Sequence, residues 1–159
     1  MDRDERVLDW ARVGDGAESV VVTDRGLWLP GGVGRLGWHD IHKAVWSGRE
    51  LSVTPAEPAG ERVDYRVQAD GQVRTYLLLD PGQVPHQVRT RVTRSVAYTT
   101  HHRLPDGGGV RVVARRVPGV DGLTWTVRYD PGTSTEDPAV VEATDQLVAA
   151  ARAEATPDV

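Results

Sequence analysis

The chain reads as an α+β protein made mostly of antiparallel sheet. A small barrel capped by a helix comes first, followed by a three-stranded antiparallel unit and a C-terminal helix. Three observations predict this. Short apolar runs separated by turn residues crowd Ser19–Thr54. Val63–Val67 and Leu123–Tyr129 alternate apolar with polar side chains, the period of a strand with one wet face. Pro85 and the pair Asp137-Pro138 stand where helices begin.

Taken in order, Asp4–Arg12 (DERVLDWAR) has the spacing of a short helix, with Val7, Leu8 and Ala11 on one face and acids at its start. Gly14-Asp15-Gly16 ends it. Ser19–Thr23 is a first strand, and Asp24-Arg25-Gly26 turns into Leu27-Trp28-Leu29. Pro30-Gly31-Gly32 turns again into Arg35–Trp38, then Ile41–Trp46 and Glu50–Thr54 follow as strands, and Pro55–Gly60 reads as a loop. Val63, Tyr65 and Val67 form one side of the next strand, Asp70-Gly71 a hairpin turn, and Val73–Leu79 the return. About seven strands therefore precede a helix from Pro85, whose stripe is Val88, Val92 and Val96. Val96–Leu104, Val110–Val117 and Leu123–Tyr129 make a meander joined at Pro105–Gly109 and Pro118–Gly122. The last helix has the stripe Val140, Val141, Thr144, Leu147, Val148 and Ala151, and the tail from Ala155 is expected to fray. The segments are an N-terminal helix over 1–16, the barrel with its capping helix over 17–95, and the meander with its helix over 96–159. With no linker composition at 95/96, the last two are expected to share one core.

Composition removes several function classes. The 159 residues include no cysteine, which excludes disulfides, thiol catalysis and thiolate metal sites. Lysine occurs once, at Lys43, beside eighteen arginines, the mark of a GC-rich, actinobacterial-type coding sequence; arginine counts alone therefore say little about phosphate binding. The start Met1-Asp2-Arg3-Asp4-Glu5 is charged and no apolar run approaches ~18 residues, so neither a signal peptide nor a membrane span is expected, and the expected compartment is the cytoplasm. The net charge of −4 is uneven: residues 81–130 carry +5 and residues 131–159 carry −5.

Thr23-Asp24-Arg25-Gly26-Leu27, Trp38-His39-Asp40-Ile41 and Leu51-Ser52-Val53 carry a resemblance. With the strand count and the capping helix, they resemble the bacterial pleckstrin-homology-like domains over about residues 17–95. Over its whole length the chain is similar to an actinobacterial protein family with a shared C-terminal half. The resemblance implies a binding or scaffolding barrel, because that fold hosts many ligands and few enzymes; function drawn from it is analogy of fold. Lipid binding does not follow. The first hairpin holds Arg25 beside Asp24 in a segment of net charge −3.

The chemistry-bearing residues are few. His39 and His42 point to opposite faces if extended and lack a third ligand if helical, so no metal site is expected. His101 and His102 lie on opposite faces of one strand, and no serine sits on a nucleophile elbow, so no catalytic residue is assigned. Gly31-Gly32-Val33-Gly34 and Gly107-Gly108-Gly109 read as hairpin turns between strands rather than phosphate loops. The face of the meander opposite Leu123, Trp125, Val127 and Tyr129 gathers His101, Arg103, Arg111, Arg115 and Arg128, a candidate binding face that the acidic last helix (Glu136, Asp137, Glu142, Asp145) is expected to neutralise in part. Aromatic residues do not interleave with these arginines, as single-strand binders require. Trp10 is a candidate partner anchor, although packing of its helix on the barrel competes with that role. The expected function is a non-enzymatic binding or scaffold protein, with no cofactor, working through a protein partner or self-association. A nucleic-acid-associated protein using the arginine face is the alternative, and a small enzyme with a pocket around His39, His42 or His101 is the third.

Overall fold

A computed structural model describes residues 1–105 and 107–155. Asp106, in the expected hairpin loop, and the tail beyond Ala155 lie outside the described residues. The fold is α+β, mostly sheet with two α-helices, and the sheet curls into a half-barrel. The chain divides into two compact units. The first comprises Met1–Ala56, Asp70–Ser95 and Val117–Gly119; the second comprises Glu57–Ala69, Val96–Arg116 and the chain from Val120 on. Neither is one stretch of sequence, in contrast to the consecutive segments expected. Each has its own apolar cluster.

In the first unit β1 (Val7–Arg12), β2 (Ser19–Thr23), β3 (Gly26–Leu29) and β4 (Gly34–Gly37) form an antiparallel sheet in that order. The expected N-terminal helix is therefore a strand. A nine-residue helix is marginal alone, whereas pairing with β2 from Val7↔Thr23 to Arg12↔Ser19 satisfies its backbone. Ala11 goes inward, 2% exposed, while Val7 and Trp10 stay out at 52% and 57%. A 3-10 turn at Trp38–Asp40 leads to β5 (Ile41–Trp46), which pairs with the start of β6 (Glu50–Glu61); β8 (Arg74–Leu77) pairs with β6 on its other side. Gly14 donates its backbone N–H to Leu77 O at 2.7 Å, joining the end of β1 to β8. Helix α1 (Val84–Ser95) lays Val84 and Val88 on a core of Val20, Val22, Leu27, Ile41, Leu51 and Val53. Burial of that stripe, rather than propensity, holds a helix containing five β-branched residues.

The expected loop Pro55–Gly60 is instead the continuation of β6, which carries two prolines. Proline lacks only the donor, so it is tolerated where its carbonyl still pairs; Pro55 O accepts from Gly71 N at 2.8 Å. Asp70-Gly71 is not a hairpin turn either. β7 (Arg66–Asp70) leaves β8 to β6 and pairs in parallel with β11 (Leu123–Tyr129) through Thr126↔Arg66 and Arg128↔Gln68. Eight strands, not seven, thus precede α1.

In the second unit β9 (Val96–Arg103), β10 (Gly109–Arg116) and β11 form the expected meander in the order β11-β10-β9, with β7 beside β11. Val67, Val110, Val112, Ala114, Trp125 and Val127 share one face and bury it against Val140, Val148 and Ala151 of α2 (Pro138–Ala155). Asp137 caps that helix, its Oδ1 accepting from Ala139 N at 2.9 Å. Leu123, expected inward, is 36% exposed.

Candidate functional site

Register decides what the meander can present. His101 pairs with Arg111, and Arg111 with Arg128, so three nitrogen-bearing side chains stand side by side across β9, β10 and β11. Directly opposed residues on one face lie about 4.5–5.5 Å apart at Cβ. Arg103 continues the row two residues along β9 and is exposed. His101 Nε2 lies 2.8 Å from Asp130 Oδ2, and Arg111 donates to Thr99 Oγ1 at 3.2 Å. Gly109 makes the first of these possible: a Cβ there would stand 2.3 Å from Asp130 Oδ2 and 3.0 Å from His101 Nε2.

Two expectations change. Arg115 is 7% exposed, beyond a register shift at Ala114/Arg115, so it is not on offer with the other four. The acidic helix does not lie over the arginines, because α2 covers the opposite face of the same strands. Asp145 accepts instead from the Tyr65 hydroxyl. His102, on the helix side, is half-buried and meets Thr100 Oγ1 at 3.0 Å.

The outer face of the β1–β4 sheet carries a second feature. Trp10 pairs with Val21, Val21 with Trp28 and Trp28 with Arg35, one line across four strands. Trp10 is 57% exposed, and Val21 and Trp28 are half-buried. Glu5 fixes the far end of this line. Its side chain is fully buried and accepts four bonds: Thr23 Oγ1 (2.5 Å) and Trp28 Nε1 (2.8 Å) on one oxygen, Arg35 (2.7 Å) and the Asp2 amide (3.0 Å) on the other. Burial pushes the Glu5 carboxyl up, but those bonds and the Arg35 charge outweigh it and hold its pKa at about 2. Arg35 also lies over the Trp28 ring, 5.7 Å from its centroid. Arg25 and Arg35 both reach Asp2, and Arg25 reaches Asp4.

His39 and His42 are each engaged by a nearby carboxylate. His39 Nε2 lies 3.2 Å from Asp40, with its ring over Gly37, and His42 Nδ1 lies 2.8 Å from Asp70. They share no ligand, and among the described residues no group of three or more His, Asp or Glu could hold a metal. Among the same residues no helix is long and apolar enough to cross a membrane.

Two cavities were not foreseen. One, of about 710 Å³, lies in the second unit beside Tyr65, Asp145, Arg62 and Val63. Its polar groups answer one another: the Tyr65 hydroxyl donates to Asp145 at 2.5 Å and accepts from Arg62 at 3.1 Å. Burial, then the Asp145 carboxylate, push the Tyr65 phenol above its usual pKa. The other, of about 680 Å³, lies in the first unit between Trp46 and α1. The acid-free helix sequence VPHQVRTRVTRS was its one advance signal. Nothing in sequence spacing linked that helix to Trp46.

In comparisons with protein-family models, curated proteins and solved structures, no match to the chain was found.

Proposed function

We propose that the protein is a non-enzymatic binding module of pleckstrin-homology-like build, acting in the cytoplasm through protein–protein contacts. The arrangement of the first unit supports the build: a four-stranded antiparallel sheet, a second sheet of β5, β6 and β8, and α1 laid on their common core. The observation that carries the binding role is the line Trp10–Val21–Trp28 on the outside of the first sheet. An indole more than half exposed costs solvation that a partner would recover, and tryptophan is the residue type most enriched in binding hot spots. Glu5 holds Trp28 in one orientation, which lowers the entropy lost when a partner closes over the line.

The test compares the chain with Trp10→Ser, by cross-linking pull-down and by sedimentation for self-association. A partner, or a dimer, held by the native chain and released by the variant supports the reading. Identical behaviour of the two proteins removes it.

A second reading, a nucleic-acid-associated protein, is favoured by one observation: α2 buries one face of the meander, while Arg103 and Arg111 stand exposed or half-exposed on the other. Retardation of DNA or RNA at low salt, weakened by Arg111→Ala together with Arg103→Ala, is expected on that reading. No retardation at low salt ends it.

A further inference from the structure

The cavity of about 680 Å³ in the first unit has an unusual lining. Its wall is formed by Trp46 at the end of β5 and by His86, Arg89, Thr90, Thr93 and Arg94 of α1. The helix residues are spaced three and four apart, so His86, Arg89, Thr90 and Thr93 stand on one face. No carboxylate lines the cavity. Among the described residues, the side chains of Trp46, His86, Arg89, Thr90 and Thr93 have no hydrogen bond or ion pair to any other group; Arg94 has a partner of its own.

That inventory is selective. A guanidinium, an imidazole and two hydroxyls, all idle and on one helix face, are donors for an anion with several oxygens, and charge-assisted bonds of this kind are the strong ones. The volume falls within the roughly 300–1,000 Å³ of organic-ligand sites and far exceeds the room a bare phosphate needs. The Trp46 indole packs in part on the first core and also lines the groove, where its planar apolar surface and an N–H without a hydrogen bond favour a flat heteroaromatic ring. Here, unlike on the meander, an aromatic side chain does stand among the cations.

We propose that this groove binds a nucleoside monophosphate, with the base against Trp46 and the phosphate held by Arg89, His86 and the threonine hydroxyls. One indole serves one base, so the unit of recognition is a single nucleotide rather than a strand. The site is separate from the Trp10 line and does not depend on it.

The experiment is calorimetric titration of the full chain with adenosine 5′-monophosphate, adenosine, inorganic phosphate, an oligothymidylate and a poly-glutamate peptide. Saturable binding of the monophosphate with Kd below about 1 mM is expected, weakened by added salt. Adenosine and phosphate are each expected at least about tenfold weaker, since each keeps half of the contacts. Arg89→Ala is expected to weaken binding about tenfold or more, and Arg89→Lys to restore part of it, because lysine binds phosphate as a point charge without the fork. Arg89 is exposed, so both variants are expected to melt with the native chain. No binding of the monophosphate, binding indifferent to Arg89→Ala, adenosine binding as tightly as its phosphate, or binding of only the oligomer or only the acidic peptide each overturns the proposal.

Discussion

Replacing Glu5 by glutamine tests how the N-terminal segment is held. Four donors converge on the two carboxylate oxygens, two on each. Glutamine keeps the shape but offers one acceptor oxygen, and its NH2 must face the other pair. Two donors then lose their acceptor, at about 1–3 kcal/mol each where water cannot replace it. A second route gives a similar figure. Moving a carboxyl from 4.5 to about 2 corresponds to a ceiling of about 3 kcal/mol. The Arg35 side chain that supplies the charge is 31% exposed, so solvent screening trims this to about 2 kcal/mol. The expected loss for Glu5→Gln is thus about 2–3 kcal/mol near neutral pH, a fall in melting temperature of roughly 4–12 °C at this size. Urea titrations followed by tryptophan fluorescence would measure it.

The pH dependence has a definite sign. The folded pKa lies below the unfolded one, so the stabilisation is complete above about 4.5 and is lost as pH falls towards about 2. The difference between native chain and variant should shrink over that window. A variant within about 0.5 kcal/mol of the native chain at pH 7, or a gap unchanged between pH 7 and pH 2.5, would refute the four-donor account.

Two further substitutions probe the second unit. Gly109→Ala places a methyl 2.3 Å from Asp130 Oδ2, so it should part the His101–Asp130 pair and cost about 1–3 kcal/mol; the His101 ring resonances, read by NMR, should lose their dependence on Asp130, and a silent substitution would mean the strands do not approach as described. Tyr65→Phe removes a hydroxyl that both donates to Asp145 and accepts from Arg62, for an expected loss of about 1–2 kcal/mol by urea titration; a neutral result would show that Asp145 finds water at no cost.

Elements whose signals are local were legible in the sequence. Asp137-Pro138 marks the start of α2 because cap and first-turn chemistry act within a few residues. Leu123–Tyr129 alternates because one sheet face is buried, although the terminal Leu123 escapes burial. What was not legible depends on partners distant in sequence. Val7, Leu8 and Ala11 fit a helical face as well as a strand, and only pairing with β2 decides between them. Asp70-Gly71 has good hairpin chemistry, yet Arg66–Gln68 finds a parallel partner in β11. Alternation put Arg115 on the wet face with Arg111, but burial follows from the surroundings as well as from parity. Three of the four donors to Glu5, from Thr23, Trp28 and Arg35, lie eighteen to thirty positions away, and no short window could disclose them.

The parallel pairing of β7 with β11 also sets an order on the birth of the molecule. Arg66 and Gln68 leave the ribosome long before Thr126 and Arg128 exist, while β8 and α1, which complete the first unit apart from its short Val117–Gly119 segment, follow immediately. The growing chain can therefore finish most of one core while carrying a looped-out strand with one edge open. Chains halted between Ser95 and Leu123 would hold that strand without its mate, the stage at which a stray edge is most exposed to wrong pairing.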